Sequence, residues 1–352
     1  MPRTRRTEEP ASTAAAPSKR PQMADIARLA GVAKSTVSRA LAGSSLVNEE
    51  TRVRIAELAR ALNYSVNVGA QNLRLKKNRT VAVIVPYDPK TQQHLSDPFF
   101  LALIGSIADA LTEKGYDMLL SRVNAEHLDT ASQAYESGRA MGIILIGQWH
   151  HHDQLNDMVL RDIPFVVWGA HLERQFYCTV GSDNRQGGKA ATLHLLRQGA
   201  RRVAFVGDPE LPEINQRYAG YLQAHAELGL TPDPKLCLPS PFVMDRVRQD
   251  VRALLAAGIA FDGLFAASDL AAMTAISTLR QHGKEVPGDV AVVGYDDIAL
   301  AASFMPPLTT VRQPIEAAGV ALVDTLLKMA AGERPSSVQL VTELIARQTT
   351  RG

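Results

Sequence analysis

The sequence predicts two architectures in one chain: a small helical domain at the N-terminus, followed by a core of two α/β lobes. Three short segments between residues 22 and 63 repeat apolar residues at helical spacing. From residue 80 onwards, apolar runs of strand length alternate with helical stretches, which is typical of parallel sheets covered by helices. The alternation restarts near residue 199, so we expect two lobes rather than one wide sheet.

The three N-terminal helices have recognisable starts and stops. MADIARLA (23–30) is followed by Gly31, a residue that tolerates the positive φ of a tight turn. KSTVSRAL (34–41) forms the second pattern. The third begins after Asn48, a good N-cap, and two acidic residues follow in its first turn, where the helix dipole favours them. Helices of this length predict a compact three-helix bundle.

The strands of the core are predicted from short apolar runs, as expected for strands buried on both faces of a sheet. The first round contains VAVIVP (81–86), YDMLLSRV (116–123), GIILIG (142–147) and FVVWG (165–169). The second contains RRVAFVG (201–207), DGLFAA (262–267) and DVAVVGYDD (289–297). Because ligands gather at the carboxyl ends of parallel strands, two facing lobes predict a binding cleft between those ends.

Charge is distributed unevenly along the 352 residues. Residues 1–79 contain 15 Lys and Arg against 6 Asp and Glu, a formal net charge of +9, whereas the other 273 residues carry −7. A basic N-terminal segment on a mildly acidic core indicates that one end of the chain meets a polyanion. Composition alone also fits a solvated basic tail, so the arrangement of the residues has to decide.

That arrangement is typical of a helix–turn–helix. Ala27 supplies a small side chain where two helices cross, Gly31 forms the turn, and Val37 faces the core. Such a motif places the first residues of its second helix at base edges in the major groove, where Lys and Arg match the acceptors of guanine. The candidate base contacts are Lys34, Ser35 and Arg39.

Hydroxyl and amide side chains near the second helix are candidates for holding DNA phosphates. They are Thr36, Ser38, Asn48 and Thr51. A generic three-helix bundle with polar outer faces is the alternative. The net positive charge of the N-terminal segment, the turn glycine and the polar residues on one helix together favour a DNA-binding domain.

Domain boundaries follow from these changes of pattern. We predict a disordered basic arm (1–21), a helix–turn–helix domain (22–64), a hinge (65–79) and a two-lobed core for effector binding and dimerisation (80–352). The hinge is polar and basic, and a helix this short is marginal on its own because nucleation is unfavourable.

Several classes of protein are disfavoured. Two cysteines, Cys178 and Cys237, rule out a disulfide scaffold and fit a reducing compartment. No segment approaches the roughly 18–20 apolar residues of a membrane span, and the first 21 residues lack the apolar run of a secretory signal, so we expect a cytoplasmic protein. The adjacent histidines 150–152 do not present a fixed set of metal ligands, and we expect no metal.

Enzyme signatures are also missing. No GxGxxG opens the first strand–helix unit, and GxxxxGK[ST], GxSxG and HExxH are absent. We therefore expect neither catalysis nor a cofactor.

Taken together, several segments resemble one family. ADIARLAGVAKSTVSRALAGSSLVNEETRVRIAELARALNY resembles the DNA-binding domain of the lactose/galactose-repressor (LacI/GalR) transcription regulators. DPFF (97–100), VGSDNRQGG (180–188), VVGYDDI (292–298) and PPLTTVRQP (306–314) resemble the ligand-binding core of that family, in the same order. The resemblance implies a homodimer, a core like that of periplasmic sugar-binding proteins, and binding to a pseudo-palindromic operator controlled by a small molecule.

The resemblance also carries residue roles. It places the three candidate base contacts where the family reads bases, and Leu73 where members wedge a leucine into the minor groove from a hinge helix that forms on DNA. Many members have Arg-Pro before the hinge, where this chain has Ser65 and Val66, and Gly69 replaces a more helical residue. These departures weaken the predicted hinge helix. A core position between domains is the alternative for Leu73.

Candidate effector contacts lie just beyond predicted strand ends. Asp97 and Phe99 follow the first strand, Trp168 ends another, and Asp296 follows VVGY. An aromatic face with carboxylates suits a sugar, whose C–H faces stack while its hydroxyls form hydrogen bonds. For Phe99 and its neighbour Phe100, we expect one side chain in the cleft and one in the core.

The resemblance adds further candidates. Arg217 and Gln313 match positions that commonly contact ligand, as does the aspartate after VVGY. Ser268 stands where several sugar regulators have Asn. Two interpretations stay open for Asp183, which faces the ligand or has a structural role, and for Asp269, which is either a ligand contact or a helix cap.

These observations favour an effector-controlled transcription regulator, most simply a repressor, that binds a mono- or disaccharide. A purine or nucleoside is the alternative effector. A solute-binding protein or an α/β enzyme is the alternative class, opposed by the N-terminal helices and the missing catalytic motifs. The sequence does not decide between induction and corepression. The absence of a leucine heptad near the C-terminus favours a dimer over a tetramer.

Overall fold

A computed structural model of the chain describes residues 22–41, 44–62, 78–88 and 94–351. The chain divides between Lys77 and Asn78 into two compact units. The predicted basic arm and Leu73 lie outside the described residues, as does nearly all of the predicted hinge.

The N-terminal unit contains the three predicted helices: α1 (Met23–Ala30), α2 (Lys34–Leu41) and α3 (Glu49–Ala61). Gly31 ends α1 with φ +67°, and its N–H points to the carbonyls of the last turn. One large apolar side chain from each helix is fully buried at the centre of the bundle. These are Ile26, Val37 and Ile55.

The larger unit contains two six-stranded sheets, one in each lobe. The first sheet is parallel throughout and has the order β11-β5-β4-β3-β1-β2. Its strands are β1 (Thr80–Tyr87), β2 (Asp117–Asn124), β3 (Ile143–Ile146), β4 (Phe165–Trp168), β5 (Cys178–Ser182) and β11 (Val338–Leu340).

The second sheet has the order β12-β10-β9-β8-β6-β7, and only the edge pair β10–β12 is antiparallel. Its strands are β6 (Val203–Val206), β7 (Cys237–Leu238), β8 (Gly263–Ala266), β9 (Ala291–Asp296), β10 (Thr309–Arg312) and β12 (Glu343–Ile345). The prediction of two α/β lobes is therefore confirmed.

Helices cover both faces of each sheet and bury the central strands. The described helices of this unit are α4 (Pro98–Glu113), α5 (Gln133–Glu136), α6 (His152–Leu160), α7 (Asn184–Arg197), α8 (Pro212–Glu227), α9 (Met244–Ala256), α10 (Asp269–Gln281), α11 (Ala299–Ser303) and α12 (Ile315–Ala330), with 3-10 helices at Ala125–Ser132 and Pro234–Leu236. Side chains of α4 and α12 share one apolar core with the first sheet, although α12 directly follows β10 of the second sheet in sequence.

The chain passes between the lobes three times: at Asp183, at residues 313–314 and at residues 341–342. At the first crossing, the N–H of Asp183 donates to the carbonyl of Leu340, which ends β11 (2.9 Å). The repeating pattern in the sequence did not predict the second and third crossings. It also missed β5, β7 and β10–β12, because these strands are short and lack a continuous apolar run.

Helices α7 and α8 approach each other backbone to backbone. A Cβ placed on Gly188 would lie 2.2 Å from the carbonyl oxygen of Arg217, and one on Gly220 would lie 2.1 Å from the carbonyl oxygen of Arg185. Only glycine permits this contact, since real Cβ atoms do not approach so closely. The position of α8, and of the side chains that it carries, therefore depends on these two glycines.

We expect Gly188→Ala to lower the free energy of unfolding by about 1–3 kcal/mol, the usual cost of overpacking a tight contact. The obstacle is backbone, which cannot rotate away. The matched control is Gly105→Ala in α4, whose added Cβ meets no atom within 4 Å and is expected to be neutral or slightly stabilising. Urea denaturation measures both, and equal stabilities of the two variants would contradict the proposed contact.

Candidate effector cleft and nucleic-acid interface

A cavity of about 100 Å³ lies between the carboxyl ends of the two sheets, where parallel sheets usually bind their ligands. Both lobes contribute to its walls. The lining residues are Asp97, Phe99, Phe100, Ile146, Gly147, Trp149 and Trp168 from the first lobe, and Leu211, Glu213, Ile214, Arg217, Phe242, Ser268 and Asp296 from the second.

The wall formed by the first lobe is largely aromatic. The ring of Phe99 lies between two others, with centroid distances of 5.9 Å to Phe100 and 6.2 Å to Trp168. Both phenylalanines line the cavity and both also pack against the core of the lobe. The expected division, one ring in the cleft and one in the core, is therefore wrong, because a helix start at the cavity edge exposes both rings on one side.

On the second lobe, Arg217 is almost fully buried, and three neighbours fix its guanidinium. Its Nε donates to the side-chain oxygen of Asn184 (2.8 Å), and a terminal nitrogen donates to the carbonyl of Ala267. The guanidinium carbon lies 3.7 Å from the centre of the Tyr295 ring, a cation–π contact. The cation is therefore held in place before any ligand arrives.

Asp296 ends β9 with φ +119°, a conformation that residues other than glycine rarely adopt. Its carboxyl group accepts a hydrogen bond from Nε2 of Gln313 (2.7 Å) and lines the cavity. Burial raises the pKa of this carboxyl well above its ordinary value. Arg217 opposes the shift, while Asp269 and Asp97 add to it.

Two predicted contacts sit at helix starts in the cavity wall. Asp97 caps α4, accepting from the backbone N–H of Phe99 (2.9 Å), and burial raises its pKa. Ser268 caps α10, accepting from the N–H of Ala271 (3.2 Å). Both side chains line the cavity.

Asp269 is not the cap of α10, which is a correction to that expectation. Its carboxyl instead accepts from the backbone N–H of Ile298 (2.9 Å) and from the hydroxyl of Thr310, and so joins α10 to the segment after β9 and to β10. The side chain is fully buried, and this burial raises the pKa of Asp269 to about 7.

Two further predicted contacts do not line the cavity. The carboxyl of Asp183 caps α7, accepting from the N–H of Gln186 (3.0 Å). Gln313 is buried in the second crossing segment and reaches the cavity only through its hydrogen bond to Asp296. The structure thus brings six of the eight candidates to one cavity and places the other two at lobe crossings.

Sequence reasoning missed seven lining residues: Ile146, Gly147, Trp149, Leu211, Glu213, Ile214 and Phe242. Glu213 lies in the first turn of α8, and burial raises its pKa. Its place just beyond β6 was the signal that would have found it. No group of three or more potential metal ligands occurs in the part of the chain that the structure describes, and His150 does not line the cavity.

In the N-terminal unit, α2 presents the three candidate base contacts on one exposed face, opposite the buried Val37 and Ala40. Thr36, Ser38 and Thr51 are half-buried around it. Asn48 is exposed, and its side-chain oxygen caps α3 by accepting from the N–H of Thr51 (2.9 Å), which leaves its amide NH₂ available to a phosphate.

A helix–turn–helix unit joined to a two-lobed core with a cleft is the architecture of an effector-controlled DNA-binding regulator. Two family models match the chain: "Bacterial regulatory proteins, lacI family" over residues 22–67, and "Periplasmic binding protein-like domain" over residues 192–350.

Known proteins agree with these matches. The HTH-type transcriptional regulator CelR of Thermobifida fusca is 33% identical over 94% of this chain and 98% of its own length, and a ribose operon repressor of Lactococcus lactis is 31% identical over 93% and 97%. A solved CelR–cellobiose complex superposes with TM-score 0.68 at 32% identity, covering 94% of this chain and all of the other. A lac repressor dimer bound to operator and an anti-inducer matches the fold with TM-score 0.85 at 23% identity, over 95% of this chain and all of that one.

The chain belongs to the LacI family of bacterial regulatory proteins. It is a DNA-binding transcriptional regulator and not an enzyme. Among the residues that the structure describes, no helix is both long and apolar enough to cross a membrane.

Asp269→Asn is expected to change how stability depends on pH between about pH 4 and pH 7. The pKa of Asp269 is about 7 in the folded chain and about 3.9 in an unfolded one. In this window the folded state holds a proton that the unfolded state releases, so this group's contribution to stability declines as pH rises, by about 4 kcal/mol in total.

Because asparagine does not titrate, the variant's free energy of unfolding should rise relative to wild type with increasing pH. Urea denaturation at pH 4, 5.5 and 7 measures the difference. Asp324→Asn, which removes an exposed carboxyl paired with Lys114, is the control and should show no comparable slope. If the free energies of unfolding of wild type and Asp269→Asn changed with pH in parallel, burial would not raise the pKa of Asp269.

Proposed function

We propose that this regulator represses transcription by binding a pseudo-palindromic operator as a homodimer in the cytoplasm, and that a mono- or disaccharide in the cleft controls this binding. The observation that carries the proposal is the composition of the cavity. An aromatic wall on one lobe faces a fixed guanidinium and carboxyl groups on the other. Sugars need this combination, because their C–H faces stack on rings while their hydroxyls form hydrogen bonds.

The solved complex of CelR with cellobiose supports a sugar as the effector. A related regulator from Enterococcus faecium, 25% identical with TM-score 0.67 over 77% of this chain and 98% of its own, was solved with bound ribose. Purine repressors at 28% identity keep a purine as the second candidate, since the aromatic wall would also stack on a base.

In the DNA complex, Lys34, Ser35 and Arg39 read base edges from α2. Phosphates are held by Thr36, Ser38, Asn48 and Thr51. Leu73, in the hinge at 65–79, enters the minor groove. The exposed face of α2 supports the base-reading role, because the major groove admits a helix whose outer face is not packed against the rest of the protein.

Ligand and operator binding are linked through the crossings between the lobes. Gln313 lies in a crossing segment and also donates to Asp296 in the cavity, so a ligand that binds Asp296 acts directly on that segment. Coupling requires that the ligand bind the two states of the lobes with different affinity, typically by 1–3 kcal/mol.

Asp296→Asn is expected to weaken sugar binding about 10- to 100-fold, since replacing one carboxyl oxygen by NH₂ leaves a buried donor without its acceptor, at a cost of about 1–3 kcal/mol. Isothermal titration of the full chain with cellobiose and with ribose measures this change, and the exposed Asp324→Asn should bind like wild type. Binding of hypoxanthine without any sugar binding would replace the sugar with a purine and leave the regulator unchanged.

Arg39→Ala is expected to lower affinity for an operator selected from random DNA by about 1–3 kcal/mol and to relax the preference at one base pair. Arg28→Ala is the matched control, because it removes the same charge from the exposed face of α1. Fluorescence anisotropy on the selected site and on its single-base variants separates the two effects. An unchanged base preference in Arg39→Ala would remove this residue from the reading face.

A further inference from the structure

The described residues of the cavity carry more negative than positive groups. Three carboxyl groups, from Asp97, Glu213 and Asp296, line it together with a single guanidinium, from Arg217. Burial raises the pKa of each carboxyl, because the cavity solvates a negative charge poorly, and the charge of a phosphate meets the same penalty. His150 is close enough to influence Glu213 but is exposed and lies outside the cavity wall.

The guanidinium of Arg217 is the one cation against three carboxyl groups among the described residues that line the cavity. Two of its five N–H bonds donate, to Asn184 and to the carbonyl of Ala267, and its face is stacked on Tyr295. The three remaining N–H bonds can serve the hydroxyls of a sugar, but a single positive charge does not balance a phosphate dianion among these carboxyl groups.

Helix N-termini, the other usual place for a phosphate, are already capped by groups of this chain. Three helices start at the cavity. Helix α4 is capped by Asp97, whose carboxyl accepts the N–H of Phe99. Helix α8 begins with Pro212, which has no N–H, and Glu213 follows within hydrogen-bonding reach of its own N–H and that of Ala170. Helix α10 is capped by the hydroxyl of Ser268, which accepts the N–H of Ala271.

We propose that the cleft is selective for uncharged sugars and rejects their phosphate esters, because three carboxyl groups line it and the helix starts that would bind a phosphate are already capped. A phosphate monoester carries a charge of about −1.5 to −2 at pH 7 and needs donors, whereas a sugar hydroxyl can donate to a carboxyl oxygen. This selectivity rests on the proposed sugar-binding function and narrows it to one class of ligand.

The test is isothermal titration of the full chain at pH 7 with three matched pairs: glucose and glucose 6-phosphate, ribose and ribose 5-phosphate, cellobiose and its 6-phosphate. For whichever sugar binds, the ester is expected to bind about 100-fold more weakly, since like charges brought together in a buried site cost several kcal/mol. An ester that binds as tightly as its parent sugar overturns the selectivity and leaves sugar binding intact. Failure of all six compounds to bind overturns the proposed sugar function, and the selectivity with it.

A charge-removing variant separates repulsion from the size of the phosphate group. Glu213→Gln keeps the shape of the side chain. We expect it to lower the ratio of the ester's dissociation constant to that of the sugar about tenfold, equivalent to about 1.4 kcal/mol. Glu227→Gln is the control on the same helix, since its carboxyl lies at the far end of α8 and pairs with Lys189. A ratio that is the same in both variants would show that bulk rather than charge excludes the ester.

Discussion

The buried guanidinium of Arg217 is the interaction on which the rest of the site depends. A cation taken out of water is costly unless its donors are satisfied, and here the partners come from three different places in the second lobe. Asn184 begins α7, Ala267 follows β8, and Tyr295 belongs to β9. The side chain of Arg217, which lines the cavity, therefore also fixes the positions of these three segments relative to one another. Removing the cation would leave a buried carbonyl and a buried amide unpaired, so folding of this lobe and formation of the site cannot be separated.

Close packing of α7 and α8 makes this arrangement possible. The helices meet at Gly188 and Gly220, and the backbone of Arg217 itself forms the contact at Gly188. A side chain at either position would move α8 outward and carry the guanidinium away from the Tyr295 ring. Gly188 and Gly220 therefore support the binding site through backbone geometry, although neither lines the cavity.

The sequence predicted those parts of the molecule in which one local pattern decides the structure. Helices α1–α3 carry their own caps and turn glycine. The central strands are apolar on both faces, so their continuous apolar sequence is enough to predict them. It did not predict β5, β7 or β10–β12, because these strands form through pairing with distant segments rather than through their own composition. For the same reason it failed to separate Asp183 and Gln313, which lie at crossings, from the residues that line the cavity. Glu213 escaped because an acidic residue in the first turn of a helix is an ordinary stabilising feature and marks no site by itself.

Strain at the end of β9 explains how a small ligand could influence the whole core. Asp296 and Asp297 have φ values of +119° and +55°, and such conformations cost of order 1–3 kcal/mol each unless the surroundings hold them. Gln313 holds the first carboxyl, and Arg347 and Arg312 hold the second at 2.7 Å each. These partners come from the second crossing segment, from the end of β10 and from the segment after β12. A ligand that competes with Gln313 for the Asp296 carboxyl group would therefore change the balance of a strained turn whose supports lie in or beside the connections between the lobes. Rigid lobes joined by such connections convert a change of one hydrogen bond into a change of their relative orientation, and a ligand that favours one orientation shifts the population towards it.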